Sequence, residues 1–469
     1  MVFSSYNFIF LFFTILMVLY FLIPQRWREG RNLLLLAFSL FFYAYSGLKF
    51  LPIMLVSIAI NYVGGLLVAP GRQRKRLWLF LTVAANLALL GWFKYANFVG
   101  DSLAAIHINL PIPEVVLPIG ISFFTFQGMS YVIDVSRGEA EPEYNPLRVA
   151  LYVALFPQLV AGPIVRYTTI ADEIVNRKET LSDFSDGAVR FIFGLAKKLV
   201  LANGIGILSD QIYAIPAQSL TVTLAWLGPI SHGLQLYFDF SGYSDMAIGL
   251  GRMFGFHFLE NFNYPFISKS VSELWRRWHI SLSSWFRDYV YIPLGGSHKG
   301  RGRQIFNLVV VWALTGLWHG AAWNFVLWGL FFCVLLMGER FLWGKALKKL
   351  GILGNLYTLI CWNLSLALFR GESVGYAAGM IKAMLGGAPF MDRRTTYFLL
   401  EYGAVLLLGV IASLPIKVWL QNWLQARGDR PVVQLVLIWG PKLLSLGLLA
   451  VCYVKLVSST FNPFIYFRF

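Results

Sequence analysis

The sequence predicts an all-α polytopic membrane protein with roughly 10–12 transmembrane helices and additional re-entrant or interfacial helices. Of its 469 residues, 58% are hydrophobic and only 13% are charged. Soluble domains average about 25% charged residues, so this chain cannot cover a water-facing surface. Aromatic residues make up 17%, which is typical of side chains at the bilayer interfaces. The net charge of +16 indicates basic cytoplasmic loops and contact with membrane lipid rather than nucleic acid.

The N-terminal part contains four apolar runs that approach the roughly 20 residues a membrane span requires. They predict helices near 5–23, 32–47, 51–69 and 77–96. The loops at 26–31 and 72–76 are short and basic, so both are predicted to be cytoplasmic. The first run carries its positive charges after it rather than before it. This order predicts a retained span with an outside N-terminus instead of a cleaved signal peptide.

The later part contains irregular segments that predict a protein interior. Pro118 and Gly120 interrupt one apolar run, and the stretch FPQLVAGP at 156–163 contains two prolines. Irregular backbone at membrane depth needs protein or a water-filled cavity around it, so these segments are predicted not to face lipid. Further helices are predicted near 187–214, 222–251, 304–338, 354–369, 396–418 and 436–458, with an interfacial hairpin at 371–394.

The chain is predicted to form one polytopic domain over 1–469, because no repeat or soluble linker is evident. Within it we distinguish an N-terminal four-helix portion, 1–96, a catalytic core portion, 115–340, and C-terminal helices, 341–469. The three cysteines are far apart and form no CxxC pattern, so neither a metal site nor a disulfide framework is predicted. No Walker loop, GxSxG elbow or HExxH pattern occurs. The sequence therefore does not indicate soluble nucleotide, hydrolase or zincin chemistry.

A hydrophilic segment at 269–303 contains seven basic and two acidic side chains and is predicted to be cytoplasmic. On a helical wheel, the stretch 275–291 has an aromatic face and a polar face, which predicts an amphipathic helix in the interface plane. The aromatic face contains Trp275, Trp278, Leu282, Trp285, Phe286 and Tyr289, and the polar face contains Arg276, Arg277, Ser284, Arg287 and Asp288. His279 lies at the border, either as a satisfied border residue or turned into a cavity.

The run 304–338 contains no Asp, Glu, Lys or Arg and has His319 near its middle. If both flanks are cytoplasmic, the chain enters the membrane and returns through a turn at 320–322. Each arm would then have about 15 residues, roughly 22 Å of helix. An ionisable group at that depth is a hypothesis of function, and imidazole is suited to proton transfer near neutrality. The alternative is a neutral imidazole hydrogen-bonded to a carbonyl or to Asn324.

Two carboxylates lie in the apolar stretch 237–255. Buried carboxylates need partners, so Asp239 and Asp245 are predicted to form a structural polar cluster in which one pairs with Arg252 or caps a helix. Intramembrane carboxylates also favour an alternative function, a transporter or flippase for a polysaccharide or lipid-linked intermediate.

Two motifs carry a resemblance to a known family, WRRWHISLSSWFRDYVYIPLGGS at 275–297 and GLWHGAAWNFVLWG at 316–329. The chain resembles the membrane-bound O-acyltransferases (MBOAT), in particular the bacterial alginate O-acetyltransferases and the related teichoic acid D-alanyl transferases. The resemblance covers nearly the whole chain, including the ending NPFIYFRF at 462–469. It implies transmembrane helices around a central funnel or tunnel, with His319 as the catalytic histidine and His279 as a second active-site histidine.

The resemblance also implies transfer of an acyl group, above all acetyl, from a cytoplasmic thioester to a hydroxyl on an extracytoplasmic polysaccharide. The donor would be acetyl-CoA or a carrier-protein thioester, used as a substrate and not held as a bound cofactor. A separate extracytoplasmic transferase, of the SGNH type or a related type, would assist the acyl transfer. The protein itself would lie in the bacterial inner membrane. The acceptor stays open among alginate, cellulose, other exopolysaccharides, peptidoglycan and teichoic acid.

For such a reaction we expect His319 to be the base that removes the hydroxyl proton. His279 and several neutral donors are candidates for stabilising the oxyanion or positioning the substrates, and the neutral donors are Asn324, Trp275, Trp278 and Trp318. A polyanionic donor such as acetyl-CoA would bind the basic segment through Arg276, Arg277 and Arg287. The alternative for these charges is that they only set the membrane topology.

Overall fold

The computed structural model describes residues 1–109, 111–426 and 431–458, and the regular structure of these residues is helical throughout. The predicted all-α class is therefore confirmed. The chain divides into two compact units, one from Met1–Phe191 with Ser244–Leu259 and one from Ile192–Tyr243 with Glu260–Phe469. The C-terminal motif at 462–469 lies outside the described residues.

The first unit contains the four predicted N-terminal helices. Its helices are Asn7–Phe13, Thr14–Leu22, Arg28–Ala44, Leu48–Phe50, Leu51–Leu67, Lys75–Ala104, Ile121–Arg137, Pro146–Ala154, Phe156–Leu159 and Tyr167–Asn176, followed by the start of Leu181–Ala196. Asn61 and Asn86 exchange two amide hydrogen bonds of 3.0 Å between the third and fourth predicted helices. Buried amides of this kind hold apolar helices together because no water competes for them.

The irregular stretch at 156–163 is buried throughout, as predicted for backbone that cannot face lipid. A short helix, Phe156–Leu159, occupies its first half. The Gln158 side chain donates its amide hydrogen to the carbonyl of Tyr152. Gly120 has a left-handed φ of +75°, and a Cβ there would lie 2.7 Å from the Leu159 carbonyl oxygen. The two predicted irregular segments thus pack against each other.

The second unit carries both motif histidines. Its helices, after the end of Leu181–Ala196, are Lys197–Ala202, Asn203–Tyr213, Ala217–Ser219, most of Val222–Met253, Pro265–Ile267, Val271–Arg277, Ile280–Phe286, Arg287–Tyr291, Gly300–His319, Trp323–Gly338, Glu339–Trp343, Gly344–Leu347, Ile352–Arg370, Val374–Met384, Arg393–Ser413, Ile416–Gln425 and Pro431–Ser458. Polar caps begin several of these helices. Ser270 and Ser373 each accept a backbone N–H, and Asp392 forms a capping box with Thr395.

Seven helices in the described part of the chain are long and apolar enough to cross a membrane. They are Leu48–Leu67, Lys75–Ala104, Leu181–Tyr213, Trp323–Leu347, Ile352–Arg370, Arg393–Ser413 and Pro431–Ser458, with Asn7–Leu22 as a shorter apolar helix. The predicted number was higher, and predicted helices outside these seven include Arg28–Ala44, which has 17 residues, Val222–Met253 and Gly300–His319, whose first turn carries two arginines. The protein is a multi-pass membrane protein.

The run around His319 forms a helical hairpin of Gly300–His319 and Trp323–Gly338, which we call the histidine hairpin. Glycines let its two helices pack closely. A Cβ on Gly316 would lie 2.3 Å from the Phe325 carbonyl oxygen, and one on Gly329 would lie 2.3 Å from that of Trp312. The turn falls at the predicted residues, but the helices have 20 and 16 residues. The second helix matches the predicted arm of about 15 residues, and the first is longer because it begins at Gly300, before the apolar run.

Candidate active site

His319 is the last residue of the first helix of the histidine hairpin. Its Nδ1 lies 2.7 Å from the carbonyl oxygen of Thr315, one turn earlier. Since a carbonyl oxygen can only accept a hydrogen bond, Nδ1 carries the hydrogen and Nε2 is the basic nitrogen of the neutral ring. The sequence left two partners open for a neutral His319, a carbonyl or Asn324. In the structure Nδ1 bonds to the Thr315 carbonyl, and Asn324 is half-buried.

The turn after His319 is fixed by sterics. Gly320 has an extended backbone with φ −170°, which any residue could adopt. A Cβ at this position would nevertheless lie 2.1 Å from the Phe325 ring. The absence of a side chain therefore lets Phe325 fill the space beside His319 and keeps the turn tight.

His279 lies at a break between two short helices, Val271–Arg277 and Ile280–Phe286. The prediction of one continuous amphipathic helix over 275–291 was therefore wrong. Trp278 is extended, and His279 has a left-handed φ of +46°. Such a φ is uncommon for a residue other than glycine. The helical wheel still indicated burial correctly, because Trp275, Trp278, Leu282, Trp285 and Phe286 are all buried.

The structure brings the two histidines to the same aromatic side chain. The ring centroids of His319 and Trp318 are 5.1 Å apart, and those of His279 and Trp318 are 5.6 Å apart. On its other side, the His279 ring meets the edge of Phe240 at 4.7 Å. Burial, with a smaller contribution from His319, lowers the pKa of His279 well below its usual range. His279 is therefore neutral at physiological pH.

A wall of aromatic rings extends from His319 into the core of the second unit. The Trp328 ring lies 4.8 Å from His319, and Trp275 lies 5.7 Å from Trp328. Trp278 packs at 4.7 Å on Trp362. The indole N–H groups of Trp275, Trp328 and Trp362 are buried without an acceptor among the described residues. Neither Trp328, which lies in the second motif, nor Trp362, which lies outside both motifs, was predicted as a site residue, because their approach to this site depends on the packing of separate helices.

A residue that sequence reasoning missed ties the His279 segment to the histidine hairpin. The Glu339 carboxylate accepts hydrogen bonds from the backbone N–H groups of Val271 and Ser272, at 2.6 and 2.8 Å, and from the Ser272 hydroxyl at 2.6 Å. A carboxylate at a helix N-terminus satisfies donors that the helix itself leaves open. Glu339 is the first charged residue after the uncharged run, which was the one available signal.

The three predicted donor-binding arginines lie on the surface side of this region. Arg277 pairs with Glu273 at 2.9 Å, and Arg287 pairs with Asp288 at 2.6 Å. Arg276 is exposed. Part of the positive charge in the segment is thus balanced locally, which weakens the field that an anionic ligand would meet.

The predicted pairing of Asp239 or Asp245 with Arg252 was wrong. Asp239 forms a buried ion pair with Lys198 at 2.5 Å, and Asp245 pairs with Arg190 at 2.8 Å. Arg252 instead contacts Asp183 and Asp186, at 3.0 and 3.1 Å. Seven residues separate Asp245 from Arg252, which is about 10 Å along a helix and too far for a direct pair. Both carboxylates have basic partners, so neither supports the transporter alternative.

No metal centre is evident in the part of the chain that the structure describes. Among those residues, no three His, Cys, Asp or Glu side chains lie close enough to hold a metal ion. The site contains two buried imidazoles, those of His279 and His319, within a wall of aromatic rings. An imidazole with a basic Nε2 can accept the proton of a hydroxyl that attacks an ester or thioester.

Comparison with known proteins identifies the fold. A family model described as MBOAT, membrane-bound O-acyltransferase family, matches residues 77–369, which include both histidines. The chain belongs to the membrane-bound O-acyltransferase family. The resemblance seen in the two motifs is thereby confirmed, and the protein is an O-acyltransferase.

Relatives of this O-acyltransferase are named for alginate, peptidoglycan and teichoic acid. A probable alginate O-acetylase of Pseudomonas putida is 39% identical over the full length of both chains. A peptidoglycan O-acetyltransferase of Helicobacter pylori is 35% identical over 78% of this chain and 74% of its own. A teichoic acid D-alanyltransferase of Bacillus subtilis is 32% identical over 50% of this chain and 62% of its own. These relatives are bacterial, which indicates the bacterial inner membrane as the location.

Proposed function

We propose that this O-acyltransferase moves an acetyl group from a cytoplasmic thioester to a hydroxyl on an extracytoplasmic exopolysaccharide. Alginate is the acceptor we favour, because relatives that match the full chain are probable alginate O-acetylases. The hydroxyl belongs either to the polysaccharide itself or to a partner transferase, of the SGNH type or a related type, that passes the acetyl group on.

The Nδ1 hydrogen bond of His319 is the observation that carries the proposed mechanism. Its bond to the Thr315 carbonyl leaves Nε2 as the basic nitrogen. In the reaction, the hydroxyl proton moves to Nε2 while the hydroxyl oxygen attacks the thioester carbonyl. The C–S bond then breaks, and the leaving thiolate takes the proton from His319 and departs as a thiol. The imidazole is thus restored to its neutral form.

The donor side of the proposal rests on charge. Lys299 lies just before the histidine hairpin, Arg301 and Arg303 lie in its first turn, and all three side chains are exposed. Acetyl-CoA carries several phosphate charges, and a carrier-protein thioester carries one on its prosthetic arm. Either donor would be attracted by this basic surface, most strongly at low ionic strength.

The proposal is tested with His319→Ala protein in nanodiscs, given labelled acetyl-CoA and mannuronate oligosaccharides. We expect acetyl transfer to fall by about 10²–10⁴-fold, the usual contribution of a general base. His107→Asn is the matched control, because His107 is an exposed histidine in the first unit and asparagine tolerates its left-handed backbone, and it should retain full transfer.

Undiminished transfer by His319→Ala protein of normal yield would contradict the role of His319. A wild-type protein that consumes neither acetyl-CoA nor an acetylated carrier protein, with or without an added extracytoplasmic transferase, would contradict the proposed reaction as a whole.

A further inference from the structure

We propose that Asn261 is a positioning residue whose side-chain carbonyl fixes His279 in the tautomer with a bare Nε2, so that this nitrogen accepts a hydrogen bond from an acceptor hydroxyl. The inference rests on the acetyl transfer proposed above and deepens it by assigning a role to the second histidine. Asn261 lies 18 residues before His279 in the sequence and belongs to neither of the two motifs.

The backbone of Asn261 holds the break at His279. The Ile280 N–H donates to the Asn261 carbonyl at 3.0 Å, and the Asn263 N–H donates to the Arg277 carbonyl at 2.9 Å. These two bonds pair the segment 261–263 with the chain on both sides of the break. A left-handed residue other than glycine costs about 1–2 kcal/mol and persists only where its surroundings impose it. Asn261 is such a constraint.

The side chain of Asn261 determines the tautomer of His279. Its Oδ1 accepts hydrogen bonds from the backbone N–H and the hydroxyl of Ser281, at 3.1 and 2.9 Å. Since a backbone N–H can only donate, the amide atom facing Ser281 must be the oxygen. The same Oδ1 lies 3.3 Å from Nδ1 of His279. Nδ1 is therefore the donor, and Nε2 carries the lone pair.

The Nε2 atom of His279 is a buried hydrogen-bond acceptor without a donor among the described residues. It has no hydrogen-bond partner among the described residues, and the side chain of His279 is fully buried. Leaving a buried polar atom unsatisfied costs about 1–3 kcal/mol, so a partner that arrives with the substrate gains this energy. His279 stays neutral because burial lowers its pKa, and His319 is the one titratable group that acts on it.

A bare Nε2 excludes one of the roles that the sequence left open for His279. An oxyanion is stabilised by groups that donate hydrogen bonds, and this nitrogen has no hydrogen to donate. A thioester carbonyl likewise offers only an acceptor. A polysaccharide acceptor offers, beside the reacting hydroxyl, a neighbouring hydroxyl that can donate to Nε2. We therefore assign His279 to holding that neighbouring hydroxyl, while His319 removes the proton of the reacting one.

The experiment compares Asn261→Leu, Asn261→Asp and a matched control, Asn263→Asp, in nanodiscs. Asn263 lies in the same segment but is exposed, so its variant should behave as wild type. Asn261→Leu should lower kcat by about 10–100-fold, the usual effect of removing a partner that orients a functional imidazole. Asn261→Asp keeps an acceptor for Nδ1 but adds a negative charge that stabilises the imidazolium form. The acid limb of its pH–kcat profile should therefore move to higher pH, by about 1–3 units.

A second measurement does not depend on activity. Nitrogen-15 spectra of histidine-labelled protein, with the His279 signals assigned through a His279→Asn variant, should show hydrogen on Nδ1 and none on Nε2. Asn261→Leu should lose this single tautomer if it folds, and the wild-type spectrum decides the question if it does not. An Nε2–H tautomer in the wild type, or an Asn261→Asp pH profile that superimposes on the wild-type profile, would overturn the inference. Absent acetyl transfer in the wild type would refute the proposed function and leave the spectrum to decide the tautomer.

Discussion

The two units each contain a buried polar cluster, and the clusters differ in how completely their hydrogen bonds are satisfied. In the first unit, Glu179 is surrounded by Arg28, Arg31 and Arg177, which we call the Glu179 cluster. In the second unit, the polar groups are the histidine pair, His279 and His319. The first cluster consists of charged side chains and the second of imidazole rings.

Partners saturate the Glu179 cluster. The carboxylate accepts hydrogen bonds from Tyr20 and Arg28 and pairs with Arg31 at 3.0 Å. Arg177, whose side chain is fully buried, donates to acceptors on four segments. These are the Tyr20 hydroxyl, the Asn32 amide oxygen and the backbone carbonyls of Glu173, Ile174 and Phe254.

The histidine pair is surrounded by polar atoms that lack partners. Among the described residues near the histidine pair, the buried atoms without a hydrogen-bond partner include His279 Nε2, Asn261 Nδ2 and the indole nitrogens of Trp275, Trp328 and Trp362. A saturated polar network stabilises one conformation, whereas each unsatisfied buried group costs free energy that a bound ligand can recover. The saturated Glu179 cluster is typical of a structural network, and the unsatisfied atoms at the histidine pair support our proposal that this pair acts in binding and catalysis.

The largest expected effect is on stability in the first unit. Arg177→Met should lower the free energy of unfolding by about 3–5 kcal/mol, because it leaves the buried Glu179 charge with fewer partners. Thermal unfolding in detergent, followed by tryptophan fluorescence, measures the change. The control is Arg148→Gln, which removes the ion pairs of a partly exposed arginine with Glu29 and Glu143 and should cost about 1 kcal/mol. Equal losses in the two variants would show that the Glu179 cluster contributes no more than a surface pair.

A smaller effect is expected from acid. Burial opposes ionisation of Glu179, but hydrogen bonds from Arg28 and Tyr20 outweigh it and lower its pKa to about 2. A lowered pKa in the folded state contributes stability above the unfolded pKa of about 4.5, and this contribution is lost as the pH falls toward 2. About 2 kcal/mol should be lost by pH 3.

Unfolding midpoints between pH 6 and pH 3 test this dependence, with Glu179→Gln as the reference. The wild type should lose more stability than the variant over that interval, because the variant has no carboxyl group to protonate at this position. Parallel curves for the two proteins would show that Glu179 does not set the acid sensitivity.

The smallest effect on stability is expected at the histidine pair. His279→Asn should change the free energy of unfolding by about 1 kcal/mol, because asparagine tolerates the left-handed backbone better than most residues. Acetyl transfer should nevertheless fall by about 10–100-fold. Unfolding curves and transfer rates on the same preparation measure both quantities. A loss of stability as large as that of Arg177→Met, with transfer intact, would reverse the comparison between the clusters.

The sequence predicted several parts of the second unit from local signals. The uncharged run with His319 and the glycine-rich turn predicted the histidine hairpin, and the aromatic periodicity predicted which side chains of the His279 segment are buried. Periodicity alone could not predict the break at His279. A helical wheel assumes a continuous helix, and the break is imposed by Asn261 from a separate segment.

The ion pairs of Asp239 and Asp245 likewise could not be predicted from local sequence alone. The sequence indicated that Asp239 and Asp245 need basic partners, since buried charges are costly alone. It suggested Arg252, whereas the partners are Lys198 and Arg190 from another part of the chain. Local sequence shows that a charge must be paired, but only packing determines which distant base comes within reach.

The sequence by itself determined the membrane class, the all-α fold and the two histidines to examine. Composition and hydrophobic runs reflect the cost of placing charge in lipid, and that cost acts on each segment separately. The tertiary structure alone decided the tautomers of the histidines, the role of Asn261 and the partners of the buried charges. Each of these depends on a hydrogen bond or ion pair of about 3 Å, and such a distance is set when separate segments pack together.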